Sequence, residues 1–183
     1  LYLYAVQNFG VGPEAGFVLG CVLAIAGGVG TIFGGVLGDF AKRLHPGGRL
    51  YLVLFAALSG SACLVLMMTT SSLTIYYTAL GLTSFLGIMW LGPVAASCQD
   101  LVLPRMRGMA TAVFFLGTNI IGLGLGPYVV GLVSDVTGDM RFAMLSVLFV
   151  LPVTLGLLFY AARTLPARES SALDRAREAG EPV

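Results

Sequence analysis

Apolar residues form long unbroken blocks along this chain, and polar residues collect in short stretches between them. Residues 15–38 and 50–99 contain no charged side chain, and residues 108–134 and 142–162 form two further uncharged blocks. About 20 apolar residues carry a helix across a bilayer. Lipid offers no partners for free backbone N–H and C=O groups, so a spanning segment in such blocks has to be helical. The pattern therefore predicts an all-α integral membrane protein.

The block 50–99 is long enough for two spans, and its one polar cluster, Thr69–Ser72, marks the turn between them. The overall composition agrees, because 57% of the residues are hydrophobic and 10% are charged, whereas soluble domains carry about 25% charged residues. Residues 163–183 mix charges without an apolar stripe, which predicts a mostly disordered tail. The chain begins with Leu1, and we expect it to be part of a longer protein. The predicted spans are a partial one at 1–9 and complete ones at 15–38, 50–68, 73–99, 108–134 and 142–162.

Charge alternates between successive loops. The loop 39–49 is basic, the Thr69–Ser72 turn is uncharged, the loop near residues 100–107 is basic, and the loop 134–141 carries two aspartates against one arginine. Basic loops tend to face the cytoplasm. We therefore expect the C-terminus in the cytoplasm, and the Ala, Gly and Arg content favours a bacterial inner membrane.

Small residues and prolines recur inside the spans. Glycines four residues apart let two helices approach closely, and prolines within helices favour kinks. A packing role, a gating role or both would account for them. The residues concerned are Gly30, Gly34, Pro93, Gly122, Gly126 and Pro127.

Polar side chains inside spans are costly and are candidates for function. Gln7, Thr83, Ser84 and Asn119 are the candidates for lining a substrate cavity. Asn119 has an alternative role as an amide that joins two helices. No carboxylate lies deep in a complete span, so a proton-coupling acid would lie outside this segment.

No reactive set of side chains is visible. The one histidine, His45, lies in a basic loop without a cysteine or carboxylate arrangement around it, and phosphate-binding and dinucleotide-binding motifs are absent. The sequence predicts no enzyme, no cofactor, no metal site and no nucleic-acid partner.

The stretch Gly35–Arg43, GVLGDFAKR, resembles the signature loop of the major facilitator superfamily, although Phe40 stands where a basic residue is common. The resemblance implies the C-terminal six-helix bundle of a twelve-span transporter, from the end of span 7 to span 12. The N-terminal half of the same protein would then be its partner in the bilayer.

The stretch Gly92–Asp135 is similar to spans 10 and 11 of the Spinster family. Three features carry the similarity: the pair Gln99–Asp100, the run from Pro104 to Ala110, and the run N-x-x-G-L-G-L-G-P from Asn119 to Pro127. The resemblance implies alternating-access transport of lysophospholipids or sphingosine-type lipids, in some cases coupled to protons.

The charged loops suggest a cytoplasmic latch that closes and opens during transport. A carboxylate such as Asp39 can face the free N–H groups at a helix N-terminus, and the basic residues can pair with carboxylates nearby. The alternative is that the basic residues only set the topology. The proposed latch comprises Gly35, Asp39, Lys42, Arg43, Asp100, Arg105 and Arg107.

Two other functions remain open at this stage. One is a facilitator for a small organic anion, sugar or drug. The other is a membrane scaffold protein that transports nothing.

Overall fold

The computed structural model describes Val6, Gly12 and residues 14–138 and 140–178. Gln7, one of the four polar candidates, lies outside these residues. The partial span predicted at 1–9 is outside them too, apart from Val6.

The described part of the chain contains five helical segments long and apolar enough to cross a membrane, which confirms the predicted all-α membrane fold. Each begins within four residues of its predicted start, while the first and fifth run well beyond their predicted ends. We call them the first to fifth spans in chain order. They are Gly16–Leu44, Gly48–Thr69, Leu73–Asp100, Pro104–Thr137 and Arg141–Glu169.

The first two spans are joined by a very short connection. The helix Glu14–Leu44 contains the first span, and the helix Gly48–Thr69 is the second span. The amide of His45 donates to Ala41, and the amide of Gly48 donates to His45 at 2.8 Å. A Cβ on Gly48 would overlap the carbonyl oxygen of Ala41, so only glycine fits this tight turn.

The other three spans are interrupted, each about four residues before a proline. The ring of a proline conflicts with the carbonyl four residues earlier and leaves it without a donor. The third span breaks at Met89 and Trp90 before Pro93; the fourth adopts a π-helix just before Pro127; the fifth adopts a 3-10 turn before Pro152. The third span consists of the helices Leu73–Ile88 and Leu91–Asp100. The fourth consists of the 3-10 turn Pro104–Met106, the helix Arg107–Gly117, the π-helix Thr118–Leu125 and the helix Gly126–Thr137. The fifth consists of the helix Met140–Ser146, the 3-10 turn Val147–Val150 and the helix Leu151–Glu178.

Three apolar clusters follow one another along the bundle. Near the Thr69–Ser72 turn, Tyr76 and Met67 are buried together with Leu80 from the third span. A middle cluster joins Ala56, Leu86 and Met89. At the opposite end, Leu50 of the second span packs against Ala162 and Leu165 of the fifth.

The first and third spans touch backbone to backbone. A Cβ on Gly30 would stand 2.5 Å from the carbonyl oxygen of Phe85, and one on Gly34 would overlap that of Met89. Further along, a Cβ on Gly38 would stand 2.8 Å from the ring of Pro93. Gly122 and Gly126 of the fourth span differ, since a Cβ on either would meet no other atom within 4 Å.

The segment after residue 162 differs from the predicted disordered tail. The last helix continues through Pro166 to Glu178. The prediction considered only local composition, whereas Leu165 is buried against Leu50 and Glu169 pairs with a residue of the first span.

Candidate functional site

Charged residues from four spans meet at one end of the bundle. Asp39 and Lys42 come from the last turns of the first helix, and Arg49 from the first turn of the second. Asp100 ends the third span, and Glu169 lies on the continuation of the fifth. We call these five residues the ion-pair cluster, and the end of the bundle that holds them the charged end.

Asp100 is the centre of the cluster, since it pairs with two cations. The ammonium of Lys42 donates to Asp100 at 2.6 Å, and the guanidinium of Arg49 donates to the same carboxylate oxygen. Lys42 also donates to Glu169 at 2.5 Å, and Arg49 to Asp39 at 2.6 Å. The pairs form one continuous chain from Asp39 to Glu169.

The members of the cluster differ in their contact with solvent. The side chain of Arg49 is 14% exposed, and those of Lys42, Asp100 and Glu169 are between 20% and 29% exposed. That of Asp39 is 63% exposed. Exposed ion pairs contribute about 0–1 kcal/mol, while the loss of one partner from a buried pair costs more. The inner pairs at Asp100 should therefore contribute more stability than the outer pair at Asp39.

The structure brings together three of the seven predicted latch residues, Asp39, Lys42 and Asp100. Arg43 and Arg107 are exposed and take no part in the four pairs of the cluster. Arg105 is exposed in the 3-10 turn before the fourth span. Gly35 lies against the third span, since a Cβ on Gly92 would stand 3.3 Å from its Cα, whereas a Cβ on Gly35 itself would meet nothing within 4 Å.

Sequence reasoning omitted two members of the cluster, Arg49 and Glu169. Arg49 falls within the predicted basic loop 39–49, but in the structure it lies in the first turn of the second helix and pairs with Asp39 and Asp100. Glu169 is 127 positions from Lys42. Since the segment around Glu169 carries no apolar stripe, local patterning gives no signal for its partner.

The described polar candidates do not converge on one cavity. Asn119 is exposed within the π-helix, and its amide donates to the carbonyl of Phe115 in the same helix at 2.7 Å. Ser84 donates to the carbonyl of Leu80 at 2.7 Å. Thr83 lines a cavity inside the bundle, where its hydroxyl oxygen is buried and has no hydrogen-bond partner. Neither Ser84 nor Asn119 lines that cavity.

One side-chain hydrogen bond links the third and fourth spans near the charged end. The amide of Gln99 donates to the hydroxyl of Thr111 at 2.9 Å, and Thr111 in turn donates to the carbonyl of Arg107. Farther along, the rings of Trp90 and Phe114 meet edge to face, with 6.3 Å between centroids. These two contacts position the start of the fourth span beside the third.

Comparison with known proteins connects this architecture to a family. The sequence profile of the Major Facilitator Superfamily matches residues 1–127, which include the glycine-rich first span and the charged turn that follows it. The chain belongs to the major facilitator superfamily. The matched residues include Asp39 and Lys42 at the end of the glycine-rich helix.

Three relatives illustrate the range within the superfamily. The chain is 31% identical over 129 residues to an MFS-type efflux pump of Mycolicibacterium smegmatis, covering 70% of this chain and 29% of the relative. It is 29% identical over 121 residues to human protein spinster homolog 3, covering 65% and 24%. It is 27% identical over 159 residues to the class H tetracycline resistance protein of Pasteurella multocida, covering 87% and 38%.

The chain thus spans between about a quarter and two fifths of the length of these relatives. No solved structure matches it significantly.

Proposed function

We propose that this chain is the C-terminal half of a facilitator that moves an amphiphilic lipid, of the lysophospholipid or sphingosine type, by alternating access. Substrate would bind near the bilayer midplane between this half and an N-terminal half. The similarity of Gly92–Asp135 to spans 10 and 11 of the Spinster family, and the match to the human spinster homologue, support this substrate class.

The uncharged central stretches of the spans are the structural observation that carries this proposal, since the charged residues of each span lie toward its ends. Between their charged ends, the five described spans carry apolar side chains, a few hydroxyls and the amide of Asn119. This amide lies exposed on the fourth span. Such surfaces suit a hydrocarbon tail. A charged head group would require partners that these spans do not carry, so the N-terminal half would supply them, together with any proton-coupling acid.

The charged end would face the cytoplasm of a bacterial cell. Basic side chains outnumber acidic ones among the described residues around it, since Arg43, Arg105, Arg107 and Arg168 add to the cluster. By the positive-inside rule, this excess of basic residues supports a cytoplasmic location for this end and for the C-terminus.

The ion-pair cluster would act as a latch through its exposed member. All five residues belong to this one half, so their four pairs hold the half together rather than closing it against another. Asp39 is the exception, because its carboxylate is 63% exposed while it pairs with Arg49. It would reach the N-terminus of a helix in the other half when the cytoplasmic side is closed.

Efflux of a drug or another small molecule is the second candidate. Two of the three relatives are named an efflux pump and a tetracycline resistance protein, and the latter aligns with 87% of this chain. The same uncharged spans suit a lipophilic drug as well as a lipid tail.

Flux into liposomes distinguishes the two candidates. The full-length protein would be reconstituted and supplied with labelled lysophosphatidylcholine or with tetracycline, with and without an imposed pH gradient. Lysophospholipid flux above that of empty liposomes supports the lipid proposal, and flux of tetracycline alone supports the second candidate. Folded protein that moves neither molecule under either condition would contradict both. An effect of the gradient would add protons as the coupling ion.

A further inference from the structure

A cavity of about 550 Å³ lies inside the bundle, between the second, third and fifth spans. Ala57 lines it from the second span, Thr83 and Trp90 from the third, and Leu151 and Thr154 from the fifth. The first and fourth spans contribute no lining residue. The cavity is therefore formed by three spans of this half alone, and it is partly open, since Val150 on its fifth-span wall is 61% exposed.

The walls of the cavity are almost entirely apolar and carry no charged side chain. Three hydroxyls line it. Ser61 and Thr154 each donate to a carbonyl of their own helix, at 2.8 and 3.1 Å. The buried hydroxyl oxygen of Thr83 has no partner among the described residues. Among these three hydroxyls, that of Thr83 alone lacks a partner in the described structure, and the indole N–H of Trp90 is a further donor on the wall.

An apolar recess of this size is unfavourable when it stays empty, because its walls lack packing partners. Protein interiors contain few voids larger than a water molecule, and each void forfeits dispersion contacts along its walls. Apolar cavities remain dry and take up apolar guests instead of water. The volume lies within the range of about 300–1,000 Å³ of small-molecule sites.

We infer that the cavity is a binding site for an uncharged lipophilic molecule with a hydrogen-bond acceptor, taken up from the surrounding bilayer. The apolar walls exclude a charged group, because nothing in them would compensate its desolvation. An ester, ketone or ether oxygen would accept from Thr83, and so remove the cost of burying this hydroxyl unpaired. The remainder of the ligand would replace the void with dispersion contacts.

Trp90 provides a direct assay, since it lines the cavity and is the single tryptophan of this sequence. The full-length protein in detergent would be titrated with methyl dibromostearate, an uncharged ester whose bromine atoms quench tryptophan on contact. A Trp90→Phe variant identifies the part of the signal that belongs to Trp90. We expect quenching that saturates at one probe per protein.

Two variants test the position and the chemistry of the site. Ala57→Phe fills the cavity and should abolish the saturable quenching. Thr83→Val keeps the shape and removes the donor, and it should weaken binding roughly three- to tenfold, the effect of one hydrogen bond. Thr78→Val is the matched control. Thr78 lies on the same helix, is exposed, and does not line this cavity, so its replacement should leave the affinity unchanged.

Equal quenching of wild type and Ala57→Phe would overturn the inference, since the probe would then reach Trp90 from the micelle. An unchanged affinity in Thr83→Val would overturn the role given to its hydroxyl. If Ala57→Phe does not fold, Thr154→Leu fills the same cavity from the fifth span. Binding is measured without flux, so the result is independent of the transport proposal.

Discussion

The backbone of Gly34 lies directly against the carbonyl oxygen of Met89, so closely that a Cβ on the glycine would overlap that oxygen. Met89 is four residues before Pro93, which has no N–H to donate to this carbonyl. The proline thus interrupts the third span, and the glycine of the first span accommodates the carbonyl that is left without its helical donor. A similar arrangement occurs between the second and fifth spans. A Cβ on Gly47 would stand 2.5 Å from the carbonyl oxygen of Ala162, and Ala162 is four residues before Pro166.

Replacing Gly34 by alanine should destabilise the bundle by about 1–3 kcal/mol, the usual cost of overpacking. The added methyl group cannot be accommodated by rotation of a side chain, because the atom it meets is backbone. Thermal unfolding of the detergent-solubilised protein, followed by the reactivity of the half-buried Cys63 and Cys98, measures the change.

Gly28→Ala is the control for this experiment. A Cβ on Gly28 meets nothing within 4 Å, and alanine is the better helix former, so its melting temperature should be unchanged or slightly raised. Equal melting temperatures for the two variants would show that the close approach at Gly34 contributes nothing to stability.

Asp100→Asn should be more destabilising than Asp39→Asn, although both remove one carboxylate from the ion-pair cluster. Asp100 is 24% exposed and pairs with two cations, whereas Asp39 is 63% exposed and pairs with one. We expect a loss of about 1–2 kcal/mol at Asp100 and less than about 1 kcal/mol at Asp39. When unfolding is measured at low and high salt, the stabilising contribution of the exposed Asp39 should fall by a larger fraction than that of Asp100.

Lys42 and Glu169 should show coupling in a double-mutant cycle. The variants Lys42→Met and Glu169→Gln and their combination should give an interaction energy of about 0.5–1 kcal/mol. Arg168→Gln removes a neighbouring charge that is exposed and outside the cluster, so its effect should add to that of Lys42→Met without coupling. An additive Lys42–Glu169 pair would indicate that the helix beyond residue 163 is held by its apolar contacts alone.

Asp39→Asn in the full-length protein should shift the conformational balance toward the inward-open state. In the proposed transporter, the exposed face of this carboxylate would be the part of the cluster available to the other half. Labelling of single cysteines placed on the cytoplasmic side should become faster, while Arg43→Gln, which changes an exposed charge outside the cluster, should leave the rate unchanged. Unaltered labelling in Asp39→Asn would remove the basis for the latch.

The five spans could be predicted from the sequence because each depends on a long apolar block, a local property of the chain. The close approach at Gly30 and Gly34 agrees with the same kind of local pattern, since small residues recur there every four positions. The equivalent glycine repeat at Gly122 and Gly126 makes no such contact in the described part of the structure. Such a repeat allows another helix to approach closely, but whether one does depends on the position of the neighbouring helix.

The set of polar candidates could not be resolved into one site from the sequence. Adjacent positions on an α-helix point about 100° apart, and in this structure Thr83 lines the cavity while Ser84 does not. The pairing of Lys42 with Glu169 depends on tertiary structure across 127 positions. The composition of residues 163–183 predicts a mostly disordered tail, whereas the helix continues through Pro166 to Glu178.

The π-helix at Thr118–Leu125 changes how the fourth span should be represented. Its bonds run from residue i to i+5, so each extra residue in a turn rotates everything beyond it by about 100° relative to a regular helix. A helical wheel drawn continuously through residues 107–137 would therefore give Tyr128 the wrong neighbours relative to Thr111. Two separate wheels, joined at the π-helix, give each end of this span its own inward and outward sides.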